Sequence, residues 1–422
     1  MAARARSFLF CLLLLCVTAA AFGQETVTFA DRNLERAILE VIPTSSGSLT
    51  DYDLYWLGTL DAGDRGISSL GGLDHAVYLL TLLLNDNAIG DITPLRSLTV
   101  LATLNLANNK VEDLSALRSI SSLREVDLSG NQIKDIGALK ESLGMQSLYL
   151  SGNAITSLEP LRELTQLRHL SVTAGAGCSL SPIQALVELE TVDIESKESF
   201  DLAALGQMKN LRSVSLGSVV ISDLSPLRWL PLLKELWLSD LDLSSLVPVV
   251  DVGTHLDVLG LKKMTIADFL PLTQLAGLHG LHLVDVGFKD LGILVQFPLL
   301  EDLSLDGNGL VEVGLLGQLK TLRSLSVADN GLSSLGAIRP LAQLEALDVS
   351  GNPITDLEPI AGLWELRRLD LSGTKVTDIA VLLNYTKLEW VDLRDTPVTF
   401  GAGSAAQVVV DRLRARGAEV KV

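Results

Sequence analysis

The stretch LEDLSLDGNGLVEVGLLGQLKTL, residues 300–322, holds one complete copy of a motif that recurs along the chain. The motif is L-x-x-L-x-L-x-x-N-x-L, and here it is formed by Leu300, Leu303, Leu305, Asn308 and Leu310. The next copy begins 22 residues later, at Leu322. A fixed period of this length with apolar residues in register predicts a solenoid, in which each repeat buries its apolar face against its neighbours.

The same frame extends in both directions from this stretch and gives 16 repeats. Every step is 22 residues except one of 23, between repeats 9 and 10. We number the repeats 1 to 16 by their first residues, which are Leu57, Leu79, Leu101, Leu123, Met145, Leu167, Leu189, Leu211, Leu233, Leu256, Leu278, Leu300, Leu322, Leu344, Leu366 and Leu388.

Each repeat combines a strand pattern with a short return path. The segment L-x-x-L-x-L alternates with a period of two, which is typical of a short strand with its leucines facing inward. Few residues remain for the return, so a 3₁₀ turn is expected there rather than a full α-helix. The sequence therefore predicts an α/β solenoid, a horseshoe or superhelix of about 16 repeats. Its parallel β-sheet would lie on the concave face and its short helical turns on the convex face.

The ninth residue of many repeats is asparagine, at the point where the chain turns away from the strand. A buried amide there can satisfy backbone groups that the turn leaves unpaired, so we predict a structural ladder. Repeats 6 to 11 lack this asparagine, which puts the turn geometry of residues 167–299 in doubt. The predicted ladder consists of Asn87, Asn109, Asn131, Asn153, Asn308, Asn330 and Asn352.

Residues 1–23 have the features of a cleavable secretory signal. Arg4 and Arg6 form a basic start, Phe8–Val17 an apolar segment, and Ala19 to Ala21 a small-residue cleavage site. An uncleaved membrane anchor is the alternative. The apolar stretch from residue 8 to residue 22 is only 15 residues long, however, and a helical span needs about 20.

Residues 24–56 are predicted to form a helical N-terminal cap, ahead of leucine-rich repeats over residues 57–399. Terminal repeats need a cap with a polar outer face, because they would otherwise expose their apolar side to water. Asp31 is expected to cap a first helix, and Thr50 with Asp53 a second. The inward face of the first helix is predicted to be Leu34, Ala37, Ile38 and Val41.

Residues 400–422 are predicted to form a C-terminal cap made of a helix and a last edge strand. Ser404 and Gln407 read as a capping box, and Gly417 as the end of the helix. The residues expected to face inward are Val408, Val409 and Leu413.

The net charge and the cysteine count indicate which partners are disfavoured and whether disulfide bonds are expected. The formal net charge is −18 without a compensating basic block, which disfavours nucleic acid and anionic membrane surfaces as partners. Cys11 and Cys16 lie in the predicted signal, so Cys178 is the one remaining cysteine and no internal disulfide framework is expected. Cys178 is expected to be a small buried apolar residue.

Residues 79–95 and 344–360 extend the motif to L-x-x-L-x-L-x-x-N-x-I-x-D-I-x-P-L, with small departures. This resembles the 22-residue leucine-rich repeat of bacterial internalin-like proteins, a repeat class shared with eukaryotic phosphatase regulatory subunits. The leader, the helical cap and the closing segment look more like the exported bacterial form. The resemblance implies recognition of another macromolecule along the strand face.

The outward strand positions supply the candidate binding residues. Aspartates dominate there, and we interpret them as solvated residues that discourage aggregation rather than as a metal site. Aromatic residues are different, because exposed Trp and Tyr anchor interfaces at small entropic cost. The candidates for partner binding are Tyr149, Asp193, Glu235, Trp237, Lys262, His282 and Trp390.

Repeats without asparagine also contain the 23-residue step, Trp237, the pair Lys262-Lys263 and His282. The hypothesis is that partner contact centres on Glu235, Trp237, Lys262 and His282; the alternative is simple drift of these repeats. His279 and His282 have an odd spacing that would point them to opposite faces of a strand, so no zinc site is predicted.

The sequence offers no catalytic motif, so we predict a protein that is not an enzyme and needs no cofactor. It would be secreted, periplasmic or on the cell surface, and would bind another protein in adhesion or in host or envelope interaction. We expect a monomer without a membrane span. The alternative is an intracellular regulatory scaffold resembling leucine-rich phosphatase regulatory subunits.

Overall fold

The structure, a computed structural model, describes residues 25–44, 48–221, 223–243, 245–253 and 255–422. The predicted signal, residues 1–23, lies outside this range. The chain divides into two compact units, unit 1 ending at Leu211 and unit 2 running from Arg212 to Val422.

Unit 1 contains two helices, α1 (Arg32–Val41) and α2 (Asp51–Tyr55), followed by an open parallel sheet. Each strand pairs with the next, in a register that aligns equivalent repeat positions. Its strands are β1 (Thr59–Asp61), β2 (Thr81–Leu83), β3 (Thr103–Asn105), β4 (Glu125–Asp127), β5 (Ser147–Ile155), β6 (His169–Ala174) and β7 (Thr191–Ser196).

Unit 2 has the same organisation and ends in its own cap. All its strands pair in parallel with their sequence neighbours. They are β8 (Ser213–Gly217), β9 (Glu235–Ser239), β10 (Val258–Lys262), β11 (Gly280–Val284), β12 (Asp302–Ser304), β13 (Ser324–Ser326), β14 (Ala346–Asp348), β15 (Arg368–Asp370), β16 (Trp390–Asp392) and β17 (Glu419–Lys421). The helices are α3 (Val247–Val252) and α4 (Ala405–Ala415).

The return path of most repeats is a 3₁₀ turn, as predicted. Proline at the first or second position of several turns supplies a fixed φ and lacks only a donor that would be unpaired there anyway. Repeat 9, with its extra residue, forms the short α-helix α3 instead. The 3₁₀ segments are Leu73–His75, Thr93–Ser97, Ser115–Ser119, Gly137–Leu139, Glu159–Leu161, Ser181–Ala185, Leu202–Gln207, Ser225–Trp229, Leu270–Leu275, Leu291–Gln296, Gly314–Gln318, Gly336–Ile338, Glu358–Ile360 and Ala380–Asn384.

The core of each unit is built from the leucine frame. In repeat 12, Leu300, Leu303 and Leu305 are completely buried, and the return path adds Val313 and Leu316. Complete burial of a leucine side chain stabilises a fold by about 2 kcal/mol, and every repeat contributes several. The prediction of an α/β solenoid with a parallel sheet is confirmed.

The caps follow their predicted signals with two corrections. Asp31 accepts hydrogen bonds from the amides of Asn33 and Leu34, and Thr50 with Asp53 forms the capping box of α2. The inward assignment of Val41 was wrong: it lies in the last turn of α1, beyond the covered surface, and is 50% exposed.

The second correction concerns α4. Val408 is 42% exposed, and Val410 is buried in its place, together with Val409 and Leu413. Ser404 accepts from the amide of Gln407, but the Gln407 side chain donates to Asp411 instead of completing the capping box. The last edge strand appears as β17.

Strand length follows the presence of the asparagine only in part. Strands β1–β4 and β12–β16 have three residues and β6–β11 have five or six, but β5 has nine although its repeat contains Asn153. Even so, the residue before the asparagine position adopts a left-handed conformation in repeats 8 to 11, at Ser218, Asp240, Lys263 and Asp285. The turn is therefore kept in unit 2 without the amide. In repeats 6 and 7 the equivalent residues, Ala174 and Ser196, remain in their strands.

Candidate functional site

The outward residues of the strands form one column in each unit, which we call the strand face. Parallel pairing places equivalent residues side by side, so that Asp127, Tyr149, Ser171 and Asp193 are adjacent in unit 1. In unit 2 the column includes Ser215, Trp237, Gly260, His282, Ser304, Ser326, Asp348, Asp370, Asp392 and Lys421.

The predicted asparagine ladder lies away from the strand face, and each amide joins two repeats. Asn131 accepts a hydrogen bond from the amide of Val111, and its own NH₂ group donates to the carbonyls of Leu106, Leu128 and Ser129. Asn87, Asn109, Asn153, Asn308, Asn330 and Asn352 make equivalent contacts. These side chains are occupied in satisfying backbone groups, which leaves them without a free polar atom for a ligand.

Threonine takes the asparagine position in two further repeats and makes only the hydrogen bond that stays within the repeat. Thr374 and Thr396 stand at the asparagine position of repeats 15 and 16, and each hydroxyl donates to the carbonyl three residues earlier, at Leu371 and Leu393. The sequence signal for these contacts was a threonine at the ninth position of the repeat.

Trp237 and His282 lie in contact, although they belong to strands β9 and β11. The indole crosses β10 above Gly260: a Cβ built on Gly260 would come within 2.0 Å of Cε3 of Trp237. The indole then meets the imidazole of His282, with ring centroids 4.9 Å apart and planes tilted by 33°. Gly260 therefore makes room for a flat aromatic surface across three adjacent strands, and the sequence analysis missed its role.

The two other members of the hypothesised contact centre lie at the ends of these strands. Lys262 closes β10 and is exposed, in register with Ser239 and Val284. Glu235 opens β9, and one of its carboxylate oxygens accepts a hydrogen bond from the hydroxyl of Ser213 at 3.1 Å. We call Glu235, Trp237, Gly260, Lys262 and His282 the aromatic patch.

The electrostatics of His282 favour a neutral imidazole. Burial lowers the pKa of His282, and the carboxylates of Asp302 and Asp306 oppose that shift without cancelling it. The nearer oxygen of Asp302 is 3.7 Å from Nε2. The stacked pair thus presents an uncharged aromatic surface, with the positive charge of Lys262 beside it.

Tyr149 and Asp193 lie two strands apart in unit 1. Both are half-buried, and Ser171 stands between them in register. The hydroxyl of Ser171 donates to Asp193 at 3.1 Å, so one carboxylate oxygen of Asp193 is already engaged. Tyr149 and Asp193 belong to unit 1, whereas the aromatic patch belongs to unit 2.

Trp390 lies at the start of β16 between two cations. The guanidinium carbon of Arg368 is 4.9 Å from the ring centroid, and Nζ of Lys421 is 5.3 Å from it. Neighbouring strands β15 and β17 supply these groups. The Trp390 ring therefore already contacts two cations of its own chain.

The aspartates of the strand face differ among themselves. Asp392 is fully buried and forms a bidentate ion pair with Arg394; burial would raise the pKa of Asp392, but the hydrogen bonds from Arg394 lower it overall. Burial raises the pKa of Asp348, and the nearby charges of Asp370 and Asp306 add to that shift.

Helix length, side-chain grouping and burial in the described residues bear on three other kinds of site: a membrane span, a metal centre and a reactive thiol. Within the described residues, no helix is long and apolar enough to cross a membrane. In the same part of the chain, no group of three or more His, Cys, Asp or Glu side chains is placed to hold a metal ion. Cys178 is buried, and burial raises the pKa of its thiol.

Comparison with known families identifies the repeats. The profile described as "Leucine Rich repeats (2 copies)" matches residues 99–141 and 342–400, and a profile described as "Leucine Rich repeat" matches residues 318–339. No curated protein sequence matches the chain significantly.

Solved structures provide further likenesses. An internalin (InlF) from Listeria monocytogenes is 26% identical, with 88% of this chain and 96% of that chain covered and a TM-score of 0.48. The functional domain of InlJ from the same organism is 18% identical, with 88% and 82% covered and a TM-score of 0.55.

A plant protein shares the fold as well. The leucine-rich repeat ectodomain of the membrane receptor kinase GASSHO1/SCHENGEN3 from Arabidopsis thaliana, solved in complex with CASPARIAN STRIP INTEGRITY FACTOR 2, is 21% identical. The match covers 86% of this chain and 50% of that chain, with a TM-score of 0.51.

Proposed function

We propose that this internalin-like leucine-rich repeat protein binds another protein through its strand face, with contact centred on the aromatic patch. The observation that carries the proposal is the placement of Trp237 across Gly260 against His282. The role is non-catalytic and needs no cofactor.

The patch has the physical properties of an interface anchor. Trp237 lies against the backbone of Gly260 and contacts the imidazole of His282, so little side-chain entropy remains to be lost on binding. Aromatic side chains fixed in this way are the residues that carry most of the energy of protein interfaces. Lys262 is exposed beside the two rings and offers a local positive charge with which a carboxylate of the partner can pair.

The alternative reading, drift of repeats 6 to 11, accounts less well for Gly260. Glycine inside a strand costs stability relative to other residues, and it is kept where something must approach the backbone closely. Here the approaching group is the indole of Trp237, which lies on the solvent side of the sheet.

The experiment is to compare partner capture by two double variants. The first, Trp237→Ala with Lys262→Glu, removes the anchor and the charge, and we expect capture to weaken by about 30-fold, since an interface anchor contributes roughly 2 kcal/mol. The second, Trp364→Ala with Lys375→Glu, changes an exposed tryptophan and an exposed lysine outside the patch. We expect it to capture as the unmodified chain does. Equal capture by both variants, with unchanged melting curves, would refute the patch.

We also propose that the protein is exported, with residues 1–23 removed. Sequencing the N-terminus of the mature protein tests this separately, and the expected first residue follows Ala21 or Gly23. A mature chain that keeps Arg4 and Arg6 inside the cell would favour the regulatory-scaffold alternative.

A further inference from the structure

The N-terminal cap carries a second aromatic surface, formed by Tyr52, Tyr55, Trp56 and Tyr78, which we call the cap cluster. Tyr55 is central: its ring centroid lies 5.2 Å from that of Trp56 and 4.4 Å from that of Tyr78. Tyr52 meets Trp56 at 6.3 Å, and all these pairs are edge-to-face. The hydrogen bond between Tyr55 and Tyr78 is the main cause that raises the pKa of Tyr55.

The position of the cluster follows from the local fold. Leu54 is the buried residue of α2, so its neighbours Tyr52, Tyr55 and Trp56 are directed away from the core. Helix α2 packs on the turn Leu73–His75, which brings Tyr78 alongside. Trp56 is 66% exposed and Tyr78 is 50% exposed. A cap protects the repeat core from water by presenting a polar outer face, so exposed aromatic residues there oppose the capping role.

The sequence around the cluster has a net negative charge. Between Arg36 and Arg96 there are eight carboxylate residues and three arginines, Arg36, Arg65 and Arg96. Asp51 lies 2.8 Å from the imidazole of His75. Arg65 is already paired with Glu40 at 2.9 Å. Asp74, in the turn that α2 packs on, is exposed. The surface therefore repels acidic ligands and attracts cationic ones.

Two other tryptophans, one exposed and one half-buried, have cations of the chain over their rings. Arg228 lies over Trp229 at 5.2 Å, and Trp390 lies between Arg368 and Lys421. Among the described residues, no lysine or arginine lies over Trp56 or over Trp364, which is 55% exposed. An indole with an open face in an acidic setting is suited to a cation from another molecule.

We infer that the cap cluster is a docking surface for a basic polypeptide segment, whose lysine or arginine side chains would lie over Trp56 and the tyrosines. Aromatic side chains give area at low entropic cost, and the surrounding carboxylates select positive charge. The surface is separate from the aromatic patch, and it belongs to unit 1 rather than unit 2.

The test titrates the full chain with a short synthetic peptide that has lysine or arginine at alternate positions. The control peptide replaces those residues with glutamine. We expect binding of the basic peptide alone, weakened about fivefold by Trp56→Ala, since one exposed cation–π contact contributes about that factor. Asp74→Lys should also weaken it. The matched controls Trp364→Ala and Glu112→Lys change an exposed tryptophan and an exposed carboxylate elsewhere and should bind as the unmodified chain does.

Three results would overturn the inference. Equal affinity of Trp56→Ala and Trp364→Ala would mean general attraction to an acidic surface. Equal binding of the glutamine peptide would remove the role of the cation. Concentration-dependent self-association that Trp56→Ala abolishes would mean that a second copy of the chain covers the cluster. Trp237→Ala should leave peptide binding unchanged, which keeps this test independent of the proposed function.

Discussion

Repeats 2 to 4 and repeats 8 to 11 form the same turn after the strand with different hydrogen bonds. In the first group a buried asparagine connects each turn to the preceding repeat, as Asn109 does through the amide of Ile89 and the carbonyl of Leu84. In the second group the strands are longer, and the asparagine position is filled by a buried apolar residue at Val219, Leu241, Met264 and Val286.

The left-handed residue before that position is common to both groups. Asp86 and Asn108 adopt it in the first group, and Ser218 and Asp240 in the second. In each case the amide of this residue donates to a carbonyl of the next repeat, for example Asp86 to Ala107 and Asp240 to Lys262. The comparison teaches that the turn is set by local backbone conformation and strand pairing. Where asparagine is present, its amide adds hydrogen bonds to buried backbone groups of the turn.

The largest effect on stability is expected from removing one asparagine of the ladder. Asn131→Ala removes one acceptor and the donors to three carbonyls in a buried site, so we expect the free energy of unfolding to fall by about 3 kcal/mol. Denaturant unfolding followed by circular dichroism measures it. Asn85→Ala, whose amide bonds only at the surface to Asp86, is the control and should cost less than about 0.5 kcal/mol. Similar losses for both would contradict the structural role of the ladder.

The second-largest effect tests the packing of Trp237 on Gly260, which lies in the repeats without asparagine. Gly260→Ala places a methyl group within 2.0 Å of the Trp237 ring, so the indole must move. We expect a changed tryptophan fluorescence spectrum and a loss of about 1–2 kcal/mol. Gly362→Ala, where a Cβ meets no neighbour within 4 Å, should change neither.

Making Gly260→Ala in the Trp237→Ala variant tests directly whether the two residues are coupled. With the indole gone, Gly260→Ala should cost almost nothing, because the two residues are coupled through one contact. An unchanged cost in that background would mean that the glycine is required for another reason.

The third effect distinguishes two aspartates of one column by pH. The pKa of Asp392 is lowered by Arg394 against the effect of burial, so its ionised form stabilises the fold above the ordinary aspartate pKa, and this contribution is lost as pH falls through the lowered pKa. Asp392→Asn should therefore lower the free energy of unfolding at pH 7, with the difference shrinking below about pH 4.

Asp348 should behave in the opposite way. Its pKa is raised chiefly by burial, so the ionised form opposes folding and protonation at lower pH relieves that cost. Asp348→Asn keeps an oxygen that can accept from Ser350, and should raise the free energy of unfolding at pH 7. Parallel pH curves for Asp392→Asn and Asp348→Asn would contradict the assignment.

The smallest effect concerns a row of alternating charges in unit 2. Arg323 and Arg367 both pair with Glu345, at 2.6 Å and 3.8 Å, and Arg367 pairs again with Glu389. These groups are well exposed, so Glu345→Gln should cost only about 0.5 kcal/mol, and added salt should reduce the cost further. A loss that is unaffected by salt would mean that packing rather than charge holds the row.

Much of the fold could be predicted from the sequence because the repeat period fixes strand register. The helix caps at Asp31 and Thr50 could be predicted for a different reason: they depend on the chemistry of side chains close together in the sequence. Val41 and Val408 were assigned wrongly because periodicity gives the direction of a side chain but not whether anything covers it at the end of a helix.

The binding surface was predictable only in part. The repeat frame places Trp237 and His282 in one column. The contact between them depends on the absence of a side chain at Gly260, and a single glycine in a strand does not predict such a contact. The cap cluster was missed because its members come from a helix, from the end of that helix and from the turn that precedes β2.

The most direct test of the account is amide hydrogen exchange of the chain with and without its captured protein partner. The account predicts that added protection concentrates in β9, β10 and β11, over residues 235–239, 258–262 and 280–284. Protection confined to the 3₁₀ turns, with these three strands unchanged, would contradict binding through the strand face.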